Sequence, residues 1–439
     1  MSGEAQGAAV RAAAAQAIRR VRFEGVSLKA ALATALAALP DVRDRALCEA
    51  ICFEACRWAL RYERLLALLL PRPLPNPLRE VQALLLGGLA QLDAMGLAPY
   101  AAISASAEAA RVLRHPRHVG LVNAVLRRWT REHAALEAQL APDPVARHAH
   151  PAWLLQSLQR DWGDAADAIL AANNTIAPLW LRSNARRGDA AALQARLAQV
   201  GLAAEGVAFA PEALRLDTGA VPTRLPGWDE GLLSVQDLAP QLTAPALAAR
   251  AGERVLDACA APGGKAAHLL ERIDLAELLA LDLDPARLDR VRATLQRLGL
   301  QATLQVADAA TPAAWWDGRP FDRILVDAPC SGTGVIRRQP DIKLHRRAAD
   351  IAGLCAQQAR LLDGVWPLLR PGGRLVYATC SVLKDENERQ IDAFLARTAD
   401  AAAVELPPHY GRASGAGRQR LPGEDGADGF FHAALEKRA

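Results

Sequence analysis

The sequence predicts an α/β protein in three parts, of which the last and largest is a doubly wound, mostly parallel sheet. Residues 1–145 carry apolar side chains at three- and four-residue spacing, as helices do. Residues 146–235 alternate loosely between helical and strand-like segments. From 236 to 439, short apolar strands alternate regularly with helices, which favours a parallel sheet covered on both faces. We therefore expect an all-α domain, a small α+β domain and a large α/β domain.

The composition is that of a globular protein. A length of 439 residues suits two or three domains, and an apolar share of 51% provides material for large cores. The chain has no run of 18 apolar residues and no basic-then-apolar leader. We therefore expect a cytoplasmic protein without a membrane segment.

The helical part is also the basic part of the chain. Residues 1–150 carry 19 basic against 13 acidic side chains, whereas the remainder carries 33 against 35. This weakly favours a polyanion as the partner of the helical part, because arginine is abundant along the whole chain. The helical segments are "AAVRAAAAQAIRRV", "DRALCEAICFEACRWALRYERLLALLL", "LREVQALLLGGLAQLDAM" and "HVGLVNAVLRRWTREHAALEAQL".

The seven cysteines argue against a disulfide framework, since their number is odd and no export signal precedes them. Cys48, Cys52 and Cys56 recur every four residues and so share one helix face. Their spacing fits no zinc site. We expect them to pack as small hydrophobic residues, and we expect no metal.

In the α+β part, "HPAWLLQSLQRDWG" and "DAAALQARLAQVG" predict helices, and "PLWLRSN" and "ALRLD" predict strands. Arg182, Arg186 and Arg187 allow two interpretations. They could contact a phosphate backbone, but plain solvated surface is the preferred interpretation.

The α/β part should bind its ligand at the carboxyl ends of its strands, where open sheets of this kind form a crevice. Helical segments such as "PARLDRVRATLQRLG" separate the strands. The predicted strands are "RVLDACA", "ELLALDLD", "ATLQVADA", "FDRILVDAPC" and "GRLVYATCS".

The turn after the first of these strands, "DACAAPGGKAAHL", places glycines where a helix begins. Such a turn lets a ligand approach the backbone and the free N–H groups of the helix. The pattern is not G-x-G-x-x-G. It is not a P-loop either, because Ala266 follows Lys265 where a hydroxyl is needed.

Aspartates lie at the ends of the next three strands. Asp282, 18 residues beyond Gly264, can accept hydrogen bonds from ribose hydroxyls, and Asp308 and Asp327 follow on the third and fourth strands. Each could instead cap the following helix. The series, combined with the glycine turn, favours an adenosine-containing ligand.

Two cysteines lie just past neighbouring strands, Cys330 in "DAPCSGTG" and Cys380 in "YATCS". Adjacent strands are about 4.8 Å apart, so both thiols could face one pocket. The alternative is two buried cysteines that only pack. Asp385 and Glu388 have capping-box spacing, which predicts a helix N-terminus near Cys380 that would favour a thiolate there.

A thiol beside an adenosine site suggests methylation of carbon-5 of a pyrimidine. That carbon is a poor nucleophile until a thiolate adds to carbon-6, which is covalent catalysis. The base must be unstacked to expose its face. From strand positions alone, either cysteine could be the nucleophile.

Three segments, "DACAAPGGKAAHL", "DAPCSGTGVIRRQPDIK" and "LVYATCSVLKDENE", resemble the NOL1/NOP2/Sun family of RNA cytosine-5 methyltransferases. The resemblance extends over essentially the whole chain and is most specific in 236–439. Through "LREVQALLLGGLAQL" and "LVNAVLRRW", the helical part resembles a NusB-like RNA-binding domain. The resemblance implies a Rossmann-like class I methyltransferase domain with a mostly parallel seven-stranded sheet.

The resemblance also implies roles for individual residues. Cys380 would be the nucleophile, Cys330 would assist product release, and Asp327 would bind the cytosine edge and stabilise charge on the ring. The RNA would be small-subunit ribosomal RNA, methylated by a monomer. The residues implied to contact S-adenosylmethionine are Cys259, Ala260, Ala261, Pro262, Gly263, Gly264, Lys265, Asp282, Asp308 and Asp327.

Two other functions stay open at this point. A cytosine-5 methyltransferase acting on DNA would use Cys330 as its nucleophile, and transfer RNA is another possible substrate. A non-catalytic RNA-binding or assembly factor could retain a methyltransferase fold, but it would be expected to have lost the thiol or the glycines, and both are present.

Overall fold

The structure is a computed structural model that describes residues 3–217 and 219–438. Its contacts divide the chain into two compact units. The first unit comprises the chain up to Thr175 together with Ile336–Ala348, and the second comprises Ile176–Val335 and the chain from Ala349 onwards. The division into three domains at 145 and 235 remains a prediction.

The first unit is helical, as the apolar spacing predicts. The longest predicted segment is broken at Trp58, which separates two helices. None of the helices within the described residues is both long and apolar enough to cross a bilayer. The helices are α1 (Gly3–Glu24), α2 (Leu28–Ala37), α3 (Val42–Arg57), α4 (Ala59–Leu69), α5 (Arg79–Leu92), α6 (Pro99–Val112), α7 (Val119–Leu140), α8 (Pro144–His148), α9 (Ala152–Trp162) and α10 (Ala166–Asn173).

Helix α5 is the central helix of this unit. Eleven of its fourteen residues are buried, because "VQALLLGGLAQL" is apolar on every face and not along one stripe. Gly88 permits close packing: a Cβ at this position would lie 2.8 Å from a methyl carbon of Leu126. The predicted cysteine stripe, Cys48, Cys52 and Cys56, is fully buried on α3.

The second unit contains a small antiparallel sheet and a large sheet. The small sheet has the order β2-β3-β1-β4. The elements of its part of the chain are β1 (Leu179–Ser183), α11 (Ala190–Ala198), β2 (Glu205–Val207), β3 (Ala210–Leu216), β4 (Leu233–Val235), α12 (Leu238–Gln241) and α13 (Thr243–Leu247).

Neither interpretation fits Arg182, whereas Arg186 and Arg187 are exposed, as the preferred interpretation expects. Arg182 is fully buried and donates two hydrogen bonds, of 2.8 and 2.9 Å, to the carboxylate of Glu271. Arg186 donates to the carbonyl oxygens of Leu270 and Ile273, and Arg187 donates to that of Leu298. The three guanidinium groups therefore satisfy acceptors at the ends of neighbouring helices, and a phosphate contact by Arg186 or Arg187 stays a prediction.

The large sheet confirms the predicted fold class. Its order is β11-β12-β13-β9-β8-β5-β6-β7, with β10 paired to β13, so the described residues form nine strands, two more than predicted. Its strands and helices are β5 (Arg254–Asp257), α14 (Gly264–Arg272), β6 (Glu277–Asp282), α15 (Pro285–Leu298), β7 (Thr303–Val306), β8 (Phe321–Asp327), α17 (Ala348–Val365), β9 (Leu369–Thr379), α18 (Glu388–Arg397), β10 (Ala401–Val404), β11 (Arg412–Ser414), β12 (Gly417–Arg420) and β13 (Phe430–Lys437).

The order of the large sheet determines where its crevice lies. Strand β5 pairs in parallel with both β6 and β8, and β8 pairs in parallel with β9. Strands β6 and β7 lie on one side of β5, and β8 and β9, which come later in the sequence, lie on its other side. The strand order therefore reverses between β5 and β8. Ligands of open α/β sheets bind outside the carboxyl ends of the strands at such a point.

A short excursion of the chain, Ile336–Ala348, groups with the helical unit although it lies in sequence between β8 and β9. It contains the helix α16 (Ile342–His345). Asp341 accepts a 3.1 Å hydrogen bond from the backbone N–H of Leu28, and the buried Lys343 donates a 2.7 Å bond to Asn174. Polar contacts therefore fix this excursion within the helical unit.

Candidate active site

A cavity of about 270 Å³ lies at the carboxyl ends of β5, β6, β8 and β9. Helices α15 and α17 contribute Arg287 and Arg360 to its wall. The cavity brings together seven of the residues that the sequence singles out. These are Cys259, Ala261, Asp282, Asp308, Asp327, Cys330 and Cys380.

The glycine turn forms the start of α14, as predicted. Gly263 is the N-cap residue with φ of 100°, and a Cβ there would lie 3.0 Å from the Cα of Val291. Only glycine suits this combination of backbone angle and close approach. The carbonyl oxygen of Gly264 accepts a 2.9 Å hydrogen bond from the buried Arg182, which holds the turn in place. Ala260 and Pro262 lie in the same turn.

Asp282 is not a helix cap. It ends β6 with 4% of its surface exposed, and the N-cap of α15 is Asp284. One oxygen of Asp282 accepts a 3.0 Å hydrogen bond from the N–H of Asp284, and the other lies 3.5 Å from Arg287. The carboxylate therefore reaches the cavity already oriented by its own loop.

Asp308 lies two residues beyond the end of β7. It accepts a 2.9 Å hydrogen bond from the N–H of Ala310, and its other oxygen is paired at 2.9 Å with Arg360. This carboxylate is thus held in a local turn on one side and by a cation on the other.

Lys265 and Asp327 form an ion pair beside the cavity. The Nζ atom of Lys265 donates a 2.6 Å hydrogen bond to Asp327, which ends β8. Behind them lies Asp257, the last residue of β5, which is almost fully buried. Burial, reinforced by the negative charge of Asp327, raises the pKa of Asp257 to about 7.

The two thiols predicted to share a pocket lie in contact. The sulfurs of Cys330 and Cys380 are 3.4 Å apart, one beyond β8 and the other beyond β9. The hydrogen bond to Cys380 and burial raise the pKa of Cys330. The contact is a weak S–H···S hydrogen bond in which either sulfur can be the donor.

The predicted capping box is wrong. Helix α18 begins at Glu388 behind the N-cap residue Asn387, and no side-chain hydrogen bond caps it. Asp385 pairs with Arg389 at 2.8 Å, and Glu388 accepts a bond from Ser414. The helix starts eight residues after Cys380, and the favouring of a thiolate by its N-terminus stays a prediction.

A buried carboxylate, that of Glu386, contacts both of the loops that carry the thiols. We call the loop with Cys330, after β8, and the loop with Cys380, after β9, the thiol loops. Glu386 is 0% exposed. One of its oxygens accepts hydrogen bonds from the hydroxyls of Ser331, at 2.5 Å, and Ser381, at 2.6 Å. The other accepts the N–H of Ser331 at 2.8 Å and the amide of Gln358 at 3.1 Å.

Sequence reasoning missed Glu386, Arg287 and Arg360. The two arginines resemble any exposed helix residue in the sequence. Glu386 carries no signal of its own in the sequence. Its partners Ser331 and Gln358 lie in other segments of the chain, and no local pattern reveals them.

Models of three protein families match the chain. The description "16S rRNA methyltransferase RsmB/F" matches residues 244–436, a ferredoxin-like domain of RsmF/B-like methyltransferases matches 150–223, and the NusB family matches 8–131. Within the described residues, no group of three or more His, Cys, Asp or Glu side chains is arranged to hold a metal ion.

Known proteins align over nearly the full length of the chain. It is 53% identical to "Ribosomal RNA small subunit methyltransferase B" of Xanthomonas campestris pv. campestris, with 99% of this chain and 98% of the relative aligned. The relative of the same name in Vibrio cholerae is 46% identical, with 98% of each chain aligned. The crystal structure of PH0851 has the same fold, with a TM-score of 0.81, 23% identity, and coverage of 98% and 99%.

Proposed function

The chain belongs to the RsmB/F family of 16S rRNA methyltransferases, and from that premise we propose that it transfers a methyl group from S-adenosylmethionine to carbon-5 of a cytosine in small-subunit ribosomal RNA. The observation that carries the proposal is the contact between Cys330 and Cys380 at the edge of the cavity. A methyltransferase acting on oxygen or on an exocyclic nitrogen needs no thiol, whereas carbon-5 chemistry requires a nucleophile for carbon-6.

The cavity residues fit S-adenosylmethionine. Asp282 offers a pre-oriented carboxylate for the ribose hydroxyls, and Cys259 and Ala261 of the turn after β5 line the cavity beside it. Arg287 and Arg360 add positive charge to the wall, which suits a ligand that carries a carboxylate. When bound, S-adenosylmethionine supplies an electrophilic methyl group on its sulfonium sulfur.

Three residues of this chain have separate roles in the reaction of the cytosine. The sulfur of Cys380 forms a bond to carbon-6, and carbon-5 becomes nucleophilic and takes the methyl group. Loss of the carbon-5 proton to solvent returns the electron pair to the ring, so that the bond between sulfur and carbon-6 breaks and Cys380 leaves as a thiolate. The S–H of Cys330 is suited to assist this release by donating to the departing thiolate, and Asp327 is suited to bind the cytosine edge.

The assignment of Cys380 as nucleophile, and not Cys330, is supported by the raised pKa of Cys330. A thiol nucleophile reacts as the thiolate. The hydrogen bond to Cys380 and burial raise the pKa of Cys330, and the two sulfurs lie 3.4 Å apart, so an S–H of Cys330 can stabilise negative charge on Cys380. The arrangement of DNA enzymes would need the opposite protonation.

The helical unit is proposed to bind the RNA. Gly120, Ala124, Arg127 and Arg131 are exposed and recur at three- and four-residue spacing along one face of α7, and the exposed Arg117 lies in the turn just before the helix. We call this face the basic stripe. Arginines separated by small residues allow a phosphate backbone to lie close to the helix. A ribosomal RNA substrate also fits the expected cytoplasmic location.

Release of hydrogen from carbon-5 tests the proposal. Small-subunit ribosomal RNA labelled with tritium at carbon-5 of cytosine is incubated with the protein and S-adenosylmethionine. We expect one tritium released for each methyl group incorporated. Methyl incorporation without tritium release would show that another atom is modified. If neither occurs on free RNA or on isolated subunits, the substrate is a different one.

A further inference from the structure

Each of the two thiols is followed directly by a serine, and both serines bind the same carboxylate oxygen. Ser331 follows Cys330 and Ser381 follows Cys380. Their hydroxyls donate to one oxygen of Glu386, at 2.5 and 2.6 Å. A single buried group therefore touches both thiol loops, which are 50 residues apart in the chain.

We propose that Glu386 is a positioning residue that sets the distance and orientation between the thiols of Cys330 and Cys380. The proposal adds a residue to the machinery described above and rests on the proposed cytosine-5 chemistry only for its catalytic consequence. Glu386 does not line the cavity, and it acts through the two serines.

The carboxylate is itself held firmly. The phenol of Tyr377, on β9, donates a 2.7 Å hydrogen bond to the backbone oxygen of Glu386. Gln358, on α17, donates both to the side chain of Glu386 and, at 3.0 Å, to the carbonyl oxygen of Pro329. A strand, a helix and the residue just before Cys330 thus share one network.

Hydroxyl groups join the loops a second time. The hydroxyl of Thr333 lies 3.1 Å from those of both Ser331 and Ser381, and those two lie 3.2 Å apart. The hydroxyls of Thr333 and Ser381 also accept the backbone N–H groups of Val382 and Leu383. Three hydroxyls in mutual contact need an acceptor for their protons, and Glu386 provides it.

Backbone contacts hold the two thiol loops close together. The N–H of Gly334 donates a 2.9 Å bond to the carbonyl oxygen of Cys380. A Cβ at Gly334 would also lie 2.9 Å from that carbonyl oxygen. The loops are therefore packed backbone to backbone, and the orientation of their thiols depends on the buried polar groups between them.

The orientation has a consequence for catalysis. Reacting groups must be placed within fractions of an ångström, and a displacement of about 1 Å can cost on the order of 100-fold in rate. Without Glu386, the serines have lost a common acceptor, and the two sulfurs are no longer held at contact distance. Attack by Cys380 and release assisted by Cys330 should both slow, whereas ligand affinity should change little.

The test measures the thiol pair directly, without RNA or cofactor. Phenylarsine oxide binds two thiols that lie close together, forming two As–S bonds and releasing water, and the modified peptides are located by mass spectrometry. In the full-length protein, Glu386→Ala should weaken binding at Cys330 and Cys380 by about 10-fold or more. Glu386→Gln keeps one of the two acceptor oxygens in a side chain of the same size and should give a smaller loss than Glu386→Ala.

Glu253→Ala is the matched control. Glu253 is also a mostly buried acid in the second unit, and it accepts two bonds from Arg323 at the opposite, amino end of the strands. Its loss should destabilise the protein without changing arsenical binding. If Glu386→Ala does not fold, Ser331→Ala, which removes one of the two hydroxyl donors, should still give an intermediate loss.

Methyl transfer by the same variants separates the proposal from the proposed function. We expect kcat to fall by 10-fold or more in Glu386→Ala with KM for RNA nearly unchanged, and to fall less in Glu386→Gln. Unchanged arsenical binding in Glu386→Ala would overturn the positioning role even if methyl transfer is observed. A loss shared equally by Glu253→Ala would reduce Glu386 to a structural residue.

Discussion

The two compact units both contain groups of cysteines, but the backbone places these groups differently. In the helical unit, Cys48, Cys52 and Cys56 lie on the inner face of α3 and are fully buried. In the second unit, Cys330 and Cys380 lie in turns just past β8 and β9 and line a cavity. The same side chain packs within a helical core in one unit and lines a cavity at the ends of strands in the other.

Burial alone does not distinguish the two groups, because it raises the pKa of Cys56 as well as that of Cys330. The difference is access. Cys380 meets a cavity that carboxylates and arginines also reach, whereas the cysteine stripe faces α1, where Cys52 contacts the carbonyl oxygen of Ala14. The comparison predicts that cysteine substitutions in the second unit will lower activity, whereas those in the helical unit will lower stability.

The largest effect is expected from Cys380→Ala. Removal of the nucleophile should lower methyl transfer by at least about 1000-fold, as loss of a covalent nucleophile does in other enzymes. Affinity for RNA should stay within about 2-fold, because the basic stripe is intact. Filter binding and transfer of labelled methyl groups measure the two quantities. Substantial activity in this variant would exclude covalent catalysis by Cys380.

Cys330→Ala should impair the last step of the reaction, the release of the product, and not the first. Attack and methyl transfer remain possible, but release slows, so the protein should stay bonded to RNA and appear as a shifted band on a denaturing gel. Cys380→Ala, run beside it, should give no such band. The reverse pattern would assign Cys330 as nucleophile, as in DNA enzymes.

Much of this site follows from the sequence, for a physical reason. Apolar strands of a parallel sheet align at their carboxyl ends, so residues just past neighbouring strands meet, as Cys330 and Cys380 do. The failures arise where a side chain binds a partner other than the one its local pattern suggests. Arg182 is buried because of Glu271, 89 residues away. Asp385 and Glu388 have capping-box spacing but bind Arg389 and Ser414 instead.

Asp282→Ala should weaken binding of S-adenosylmethionine by about 10- to 100-fold, because charge-assisted hydrogen bonds contribute on the order of 1.5–3 kcal/mol. The change lies in the second unit, so RNA affinity should not fall. Calorimetry measures the cofactor, and Asp284→Ala, which removes only the cap of α15, is the control. Equal affinities in the two variants would remove Asp282 from the cofactor site.

The double substitution Arg127→Glu with Arg131→Glu should have the converse effect. It reverses two charges of the basic stripe, so RNA affinity should fall by about 10-fold or more at moderate salt, with a smaller dependence on salt concentration. Cofactor affinity should be unchanged. Arg64→Glu, exposed on α4 and outside the stripe, provides a control of equal charge type. Equal losses in the two proteins would mean that charge in general, and not this face of α7, attracts the RNA.

The smallest effect on activity is expected from Cys52→Ala, which tests the packing side of the comparison. The sulfur is fully buried on α3 and makes a 3.7 Å contact with the carbonyl oxygen of Ala14. Its removal leaves a small cavity, so the free energy of unfolding should fall by about 1–2 kcal/mol in urea titrations. Methyl transfer at 25 °C should remain within about 2-fold, because the cysteine stripe contributes no group to the cavity residues. A large loss of activity at unchanged stability would show that a thiol of the helical unit takes part in function, and the contrast between the two groups of cysteines would no longer hold.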